Sequence, residues 1–127
     1  MTQYKKEYIS FETARLLKGK EFDAPSCYFY EKHDQLFRNG NSFTNKETGD
    51  MFYNAYPIQT IINWLTELGV VIEIQVRHNT ANNRPLLFEY QWCVYHGMER
   101  FLDRSHYWKY RYECADDAIR YCLEHLI

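Results

Sequence analysis

The sequence lacks an excess of charge of either sign. Its 15 Lys and Arg residues are balanced by 17 Asp and Glu residues, which gives a formal net charge of −2. No global positive potential is therefore available to attract nucleic acid or an anionic membrane surface. Glycine and proline are also scarce, at 5 and 3 residues. The sequence contains no internal repeat and no low-complexity tract.

Long hydrophobic runs are missing as well. No stretch approaches the roughly 18 apolar residues that a membrane span requires. The first residues, Met1 to Tyr8, also lack the apolar segment of a secretory signal. We therefore expect a soluble, cytoplasmic protein. Because that compartment is reducing, we expect the four cysteines to be thiols; they are Cys27, Cys93, Cys114 and Cys122.

Aromatic residues, in contrast, are abundant. The chain has 12 Tyr, 8 Phe and 3 Trp among its 127 residues, and 46% of all residues are hydrophobic. A chain of this length and composition should fold as one domain, residues 1–127, without needing disulfides or a metal. One small core cannot bury this many aromatic rings. We therefore expect some of them at the surface or in a homodimer interface.

Residues 57–127 carry the clearest periodic signal. Apolar residues that begin after Pro57 recur at spacings of three and four, which predicts an amphipathic helix ending near Gly69. The pattern then alternates with a period of two over three segments, which predicts three antiparallel strands. Their apolar positions are Val70, Ile72, Ile74 and Val76; Leu86, Phe88, Tyr90, Trp92 and Val94; and His106, Trp108, Tyr110 and Tyr112.

A second helical stripe closes the chain. It consists of Ala115, Ala118, Ile119, Cys122, Leu123 and Leu126. Asp116 and Asp117 are expected to face water near the start of this helix, where its dipole favours negative charge. Packing both helices on the apolar face of the strands buries all of these surfaces together. The predicted unit is therefore a two-layer helix-strand-strand-strand-helix arrangement.

Residues 1–54 form an N-terminal subregion with weaker signals. Ser10 suits the N-cap of a helix from Phe11 to Lys18, and the segment Cys27 to Lys32 is rich in strand-forming aromatics. Asn39-Gly40 is a strong hairpin-turn signal. Residues 44–54 look like a polar loop or a boundary. The whole chain is thus predicted to be an α+β domain, with an antiparallel three-stranded meander packed on helices and an N-terminal helix and hairpin.

The order of elements in residues 57–127 resembles that of the double-stranded RNA-binding domain. Such domains grip phosphates with a Lys-rich start of the last helix. Here Asp116 and Asp117 lie at that position, and like charges repel. The N-terminal segment from Tyr8 to Leu17 is similar to the first helix of excisionase-type DNA-binding domains. No basic second helix follows it, because Pro25 interrupts the chain.

A basic and aromatic segment between residues 100 and 112 is the best candidate for a binding surface. Rings beside cations are typical of proteins that bind single-stranded nucleic acid. The same alternation also suits a strand with one core face and one solvated face. The candidate residues are Arg100, Arg104, Tyr107, Trp108, Lys109 and Arg111.

Metal and catalytic signals are weak. Two pairs have zinc-like spacing, Cys93 with His96 and Cys122 with His125. Residues three apart on a strand point to opposite faces, and Cys122 belongs to the apolar stripe of its helix. The sequence contains no phosphate-binding glycine loop and no nucleophile elbow. We therefore expect no cofactor, no metal and no enzymatic activity.

Structural motifs spread over most of the chain carry one family resemblance. They are Ile9-Ser10-Phe11-Glu12-x-Ala14-x-Leu16-Leu17-Lys18, then Trp64-Leu65, then Ala115-x-x-Ala118-Ile119-x-Tyr121-Cys122-Leu123-Glu124-x-Leu126-Ile127. In these motifs the chain resembles a group of small proteins of unknown function encoded by gut Bacteroidales and their phages or integrated elements. The resemblance implies a mobile-element origin and supplies no functional residues. Together with the aromatic excess, it predicts an accessory protein that binds another protein or itself, with single-stranded nucleic acid as the alternative ligand.

Overall fold

The fold is a mixture of helices and two antiparallel three-stranded sheets, which confirms the predicted α+β class. The computed structural model describes residues 7–31, 35–79, 87–103 and 107–127. The elements in chain order are α1 (Phe11–Lys18), β1 (Ser26–Tyr30), β2 (Leu36–Phe43), α2 (Asn45–Thr48), β3 (Tyr53–Asn54), α3 (Ile58–Glu67), β4 (Val70–Asn79), β5 (Leu87–His96), β6 (Glu99–Leu102) and α4 (Arg111–His125).

Helix α1 has the predicted bounds and the predicted cap. The Ser10 hydroxyl accepts a hydrogen bond from the backbone N–H of Thr13 at 3.3 Å, which satisfies one of the free donors of the first turn. At the other end, the N–H of Gly19 bonds the carbonyl of Leu16. Ala14 and Leu17 point inward and are fully buried.

The first sheet has the strand order β2-β1-β3. β1 confirms the predicted aromatic strand, although Lys32 lies outside the described residues. The predicted hairpin turn at Asn39-Gly40 is wrong, because both residues lie inside β2. The register shifts there, since Ser26 pairs with Phe43 while Tyr28 pairs with Arg38. The turn dipeptide thus lies in an irregular part of the β1–β2 pairing, where residues 39–42 lie opposite Cys27.

The predicted loop over residues 44–54 is also wrong in part. Thr44 caps the short helix α2: its hydroxyl accepts from the N–H of Glu47, and the Glu47 carboxylate accepts from the N–H of Thr44. Strand β3 follows and pairs antiparallel with β1, with Phe29 opposite Asn54. The reciprocal capping pattern Thr-x-x-Glu was visible in the sequence and indicates a helix start.

The helix and the first two strands of the second sheet confirm the periodic signal. Helix α3 follows Pro57, and its inward residues Ile61 and Leu65 are fully buried. Gly69 takes a φ of 87° and leads directly into β4. A left-handed φ of this kind is readily available only to glycine. The second sheet then has the order β4-β5-β6.

The third strand of the meander lies earlier in the chain than predicted. β6 pairs antiparallel with β5, with Phe101 opposite Val94. Of the residues predicted to form the third strand, Trp108 contributes one isolated bridge, to Tyr90. His106 lies outside the described residues. Residues 107–113 therefore do not form the predicted strand.

The last residues of that predicted strand belong to helix α4 instead. Tyr110 is its N-cap residue and Tyr112 lies in its first turn. The predicted apolar stripe of α4 is confirmed, because Ala118, Ile119 and Cys122 are fully buried. The helix begins at Arg111, one turn before the expected start.

The expectation that Asp116 faces water is wrong. Only 8% of Asp116 is exposed, and its Oδ1 accepts a hydrogen bond of 2.8 Å from the backbone N–H of Ser10. Burial raises the pKa of the Asp116 carboxyl, and the hydrogen bonds from Ser10 partly oppose that rise. The residue joins α1 to α4.

A single cluster of buried residues includes side chains from both ends of the chain, among them Leu17, Tyr30, Ile61, Val94 and Ile119. Helices α3 and α4 pack on the second sheet, and α1 packs on α4 and β3. All four cysteines are free thiols, as predicted. Among the helices of the described segments, none is long and apolar enough to cross a membrane.

Candidate binding surface

The hairpin of β4 and β5 extends beyond the helices that cover it. Each strand has ten residues, which corresponds to about 33 Å. Helix α3 also has ten residues but spans only about 15 Å. Towards the C-terminal end of β4 and the N-terminal end of β5 the apolar face is only partly covered, since Val76 and Phe88 are 47% and 50% exposed. Both belong to the apolar stripes that were predicted as core.

Trp108, the centre of the predicted basic and aromatic surface, has a structural role. It is partly buried against the core. Its main chain exchanges two hydrogen bonds of 2.8 Å with Tyr90, and its indole N–H donates to Oδ2 of Asp103 at 3.0 Å. These contacts extend the third strand past the end of β6. Trp108 is thus not an exposed stacking platform.

Tyr107 and Tyr110, in contrast, are exposed, at 47% and 44%. Each ring carries a cation. The guanidinium of Arg77 lies 5.5 Å from the centre of the Tyr107 ring and donates to its hydroxyl at 3.1 Å. The ammonium of Lys109 lies 5.5 Å from the centre of the Tyr110 ring, and that ring stacks on Tyr112. These two cation–π pairs combine Tyr107 and Lys109 of the predicted surface with Arg77 and Tyr110, which are outside the predicted set.

The remaining basic residues of the prediction are separated. Arg100 lies on β6, and its Nε donates to Sγ of Cys93 at 3.2 Å, a contact that raises the pKa of the guanidinium. Arg111 is the exposed first residue of α4. Arg104 lies outside the described residues. Of the predicted residues, Tyr107, Lys109 and Arg111 are thus exposed neighbours in the chain, whereas Arg100 contacts Cys93 on β5.

A second polar cluster joins the sheet to α4. The indole N–H of Trp92 donates to Oδ2 of Asp117 at 2.9 Å, and Oδ1 of the same carboxylate accepts from Arg120 at 2.9 Å. Arg120 also bonds Glu12 of α1 at 2.8 Å. These bonds link the second sheet, α4 and α1, so the cluster holds elements together. The Nε of Arg120 is buried and has no hydrogen-bond partner among the described residues.

The two zinc-like pairs do not come together. Cys93 and Cys122 are fully buried, while His125 is exposed and packs on the ring of Tyr121. Within the described ranges, no group of three or more His, Cys, Asp or Glu side chains could hold a metal ion. Burial raises the pKa of the Cys122 thiol to about 12, which favours the protonated thiol at neutral pH.

Sequence reasoning missed the exposed part of the hairpin. Val76, Phe88 and Arg77 were assigned to the core face or the solvated face of a strand without regard to what covers them. The lengths of the periodic segments could have indicated the exposure, since a ten-residue helix covers only about half of a ten-residue strand.

Comparisons with known proteins identify no relative. No family model matches the chain, and neither do any of the curated proteins or solved structures.

Proposed function

We propose that this chain is a soluble, cytoplasmic accessory protein of mobile-element origin that acts by binding another protein and not by catalysis. The observation that supports this proposal is the pair of half-exposed tyrosines, Tyr107 and Tyr110, each with a cation against its ring. The resemblance in caps and core stripes supports the proposed origin.

Tyrosine and arginine are enriched among the residues that dominate binding energy in protein interfaces. A tyrosine ring contributes a large contact area at a small cost in side-chain entropy, because it has only two rotatable bonds. The rings of Tyr107 and Tyr110 are in addition already oriented by Arg77 and Lys109. This preorganisation reduces the entropy lost on binding.

The charge of the surface indicates the chemistry of the partner. Arg77, Lys109 and Arg111 bring positive charge to the surface around the two tyrosines. A partner that presents carboxylates beside apolar side chains would complement these cations and rings. We therefore propose an acidic protein segment as the ligand.

Site-specific photocrosslinking in cells tests this proposal. A photoreactive amino acid at position 110 should crosslink to one discrete protein, and Lys109→Glu in the same chain should weaken that product. Met51, which is 69% exposed and lies between α2 and β3, is the control position. Equal crosslinking from positions 51 and 110, or none from 110, would contradict the proposal.

Single-stranded nucleic acid is the second candidate ligand, because rings with adjacent cations also stack with bases. A fluorescence titration with a single-stranded oligonucleotide should show binding that weakens steeply with ionic strength. Tyr107→Ala and Tyr110→Ala should each weaken it, whereas Tyr28→Phe, which keeps a ring in the first sheet, should not. Undetectable binding at low salt would exclude this candidate.

A further inference from the structure

Strand β4 is a long strand at the edge of its sheet. It has ten residues and pairs along its length with β5. Within residues 7–31, 35–79, 87–103 and 107–127, no strand pairs with its other edge. An edge of this length presents a row of backbone groups to any strand that can align with it.

The pairing of β5 shows which backbone groups of β4 point outward. Tyr90 exchanges both of its backbone hydrogen bonds with Trp108, and the carbonyl of Trp92 accepts from Asp103. Tyr90 and Trp92 therefore direct these backbone groups away from β4. Val76 and Ile74 lie opposite Tyr90 and Trp92. In an antiparallel pair, the backbone N–H and C=O groups of two directly opposed residues either bond each other or point away from each other. Val76 and Ile74 therefore direct their N–H and C=O groups to the open edge of β4.

The charged side chains of β4 can pair with those of a second, antiparallel copy of the same strand. Glu73 and Arg77 are four residues apart on one face of β4, with Gln75 midway between them. When two antiparallel copies of the strand meet at Gln75, Glu73 of each copy lies opposite Arg77 of the other. We propose that a second copy of this chain pairs along β4 in this register, with Gln75 on the two-fold axis.

Neighbouring registers are less favourable. A two-fold axis at Glu73 or at Arg77 would place identical charges opposite each other, which is destabilising. An axis at Ile74 or at Val76 would place each charge opposite an uncharged residue. Only the register centred on Gln75 pairs opposite charges, and the symmetry of an isologous interface makes this pair occur twice.

The same register matches the backbone and the apolar face. It places Ile74 opposite Val76 of the second copy, and both residues direct backbone groups outward. Continued from Ile72 to His78, the ladder would form about eight new N–H···O bonds. It would also cover Val76, which is 47% exposed in the single chain. Arg77 uses one Nη for Tyr107, and a guanidinium has five N–H donors, so others are available to Glu73.

Charge reversal in the full-length chain tests this interface by light scattering and sedimentation. The natural chain should be dimeric, and Glu73→Arg or Arg77→Glu should each raise the dimer dissociation constant about tenfold or more. Mixing these two single variants should restore a dimer, because each then supplies the charges that the other needs. The double variant Glu73→Arg with Arg77→Glu should restore it as well.

Circular dichroism and urea unfolding confirm that each variant is folded. If a charge variant does not fold, Val76→Pro provides a second test, because it removes an N–H that points to the open edge and no bond to β5. It should also yield a monomer. The proposal is overturned by a monomeric natural chain, by a dimer that resists both single reversals and Val76→Pro, or by single variants that stay monomeric when mixed. None of these measurements depends on the ligand of Tyr107 and Tyr110, so the two proposals can fail separately.

Discussion

Replacing Asp116 tests how the first and last helices are joined. Its Oδ1 accepts the N–H of Ser10 at 2.8 Å, and its Oδ2 lies 3.8 Å from Nε of Arg120. Asp116→Ala removes both interactions. Asp116→Asn keeps an oxygen that can accept from Ser10 but removes the charge. The pair of variants therefore separates the hydrogen bond from the electrostatic contribution.

The loss of unfolding free energy expected for Asp116→Ala comes mainly from the backbone N–H of Ser10. A partly buried N–H that loses its acceptor costs about 1–3 kcal/mol. The contact with Arg120 is long, and the arginine side chain is 25% exposed, so it adds at most about 1 kcal/mol. We therefore expect Asp116→Ala to lower the free energy of unfolding by about 1–3 kcal/mol, and Asp116→Asn to lower it by less than about 1 kcal/mol.

Urea denaturation followed by circular dichroism at neutral pH measures both values. Equal unfolding free energies for the natural chain and Asp116→Ala would refute the role assigned to the hydrogen bond. Equal losses for the alanine and asparagine variants would show that the acceptor oxygen is not what matters.

The difference between the natural chain and Asp116→Asn should also depend on pH. Burial raises the pKa of Asp116 in the folded state. A raised pKa means that the folded state binds the proton more tightly, so this carboxyl favours folding below its unfolded pKa of about 3.9. That advantage disappears as the pH rises through the folded pKa. The asparagine variant should therefore gain stability relative to the natural chain between acid and neutral pH, and a constant difference would contradict the assignment.

Two further predictions concern the thiols and a turn. Burial raises the pKa of the Cys114 and Cys122 thiols to about 12, so in the native chain an alkylating reagent at mildly basic pH should modify the partly exposed Cys27 first and these two only after unfolding, as peptide mass spectrometry would show. Gly69→Ala should lower the free energy of unfolding by about 1 kcal/mol or more because φ there is 87°. Gly19→Ala, at a φ of −77°, is the matched control, and equal effects in calorimetry would contradict the role of the left-handed φ.

Most elements with their own hydrophobic period could be predicted from the sequence. The cap of Ser10 marked the start of helix α1. The apolar stripe of α3 fitted only a helix, and the alternation in β4 fitted only a strand. β6 could not be predicted in the same way. It has only four residues, Glu99–Leu102, and its pairing depends on the two-residue turn at Gly97 and Met98 that positions it beside β5.

Overlapping patterns explain the error at the start of α4. Tyr112 continues the alternation through Trp108 and Tyr110, and it also lies three residues before Ala115, at helical spacing. The two periods therefore share residues, and tertiary contacts decide between them. The candidate surface was predictable in part: Tyr107 and Lys109 are exposed, but the buried contacts of Trp108 with Tyr90 come from residues distant in sequence.

The contact between Ser10 and Asp116 has a consequence for synthesis of the chain. The two residues are 106 positions apart, so α1 cannot dock on α4 until most of the polypeptide has left the ribosome. Contacts of such long range slow folding, since the chain must first lose the entropy of closing a large loop. Until then Ala14 and Leu17 have no α4 to pack against, and the core next to the first sheet is incomplete. The nascent chain would then be most vulnerable to proteases and aggregation just before α4 emerges.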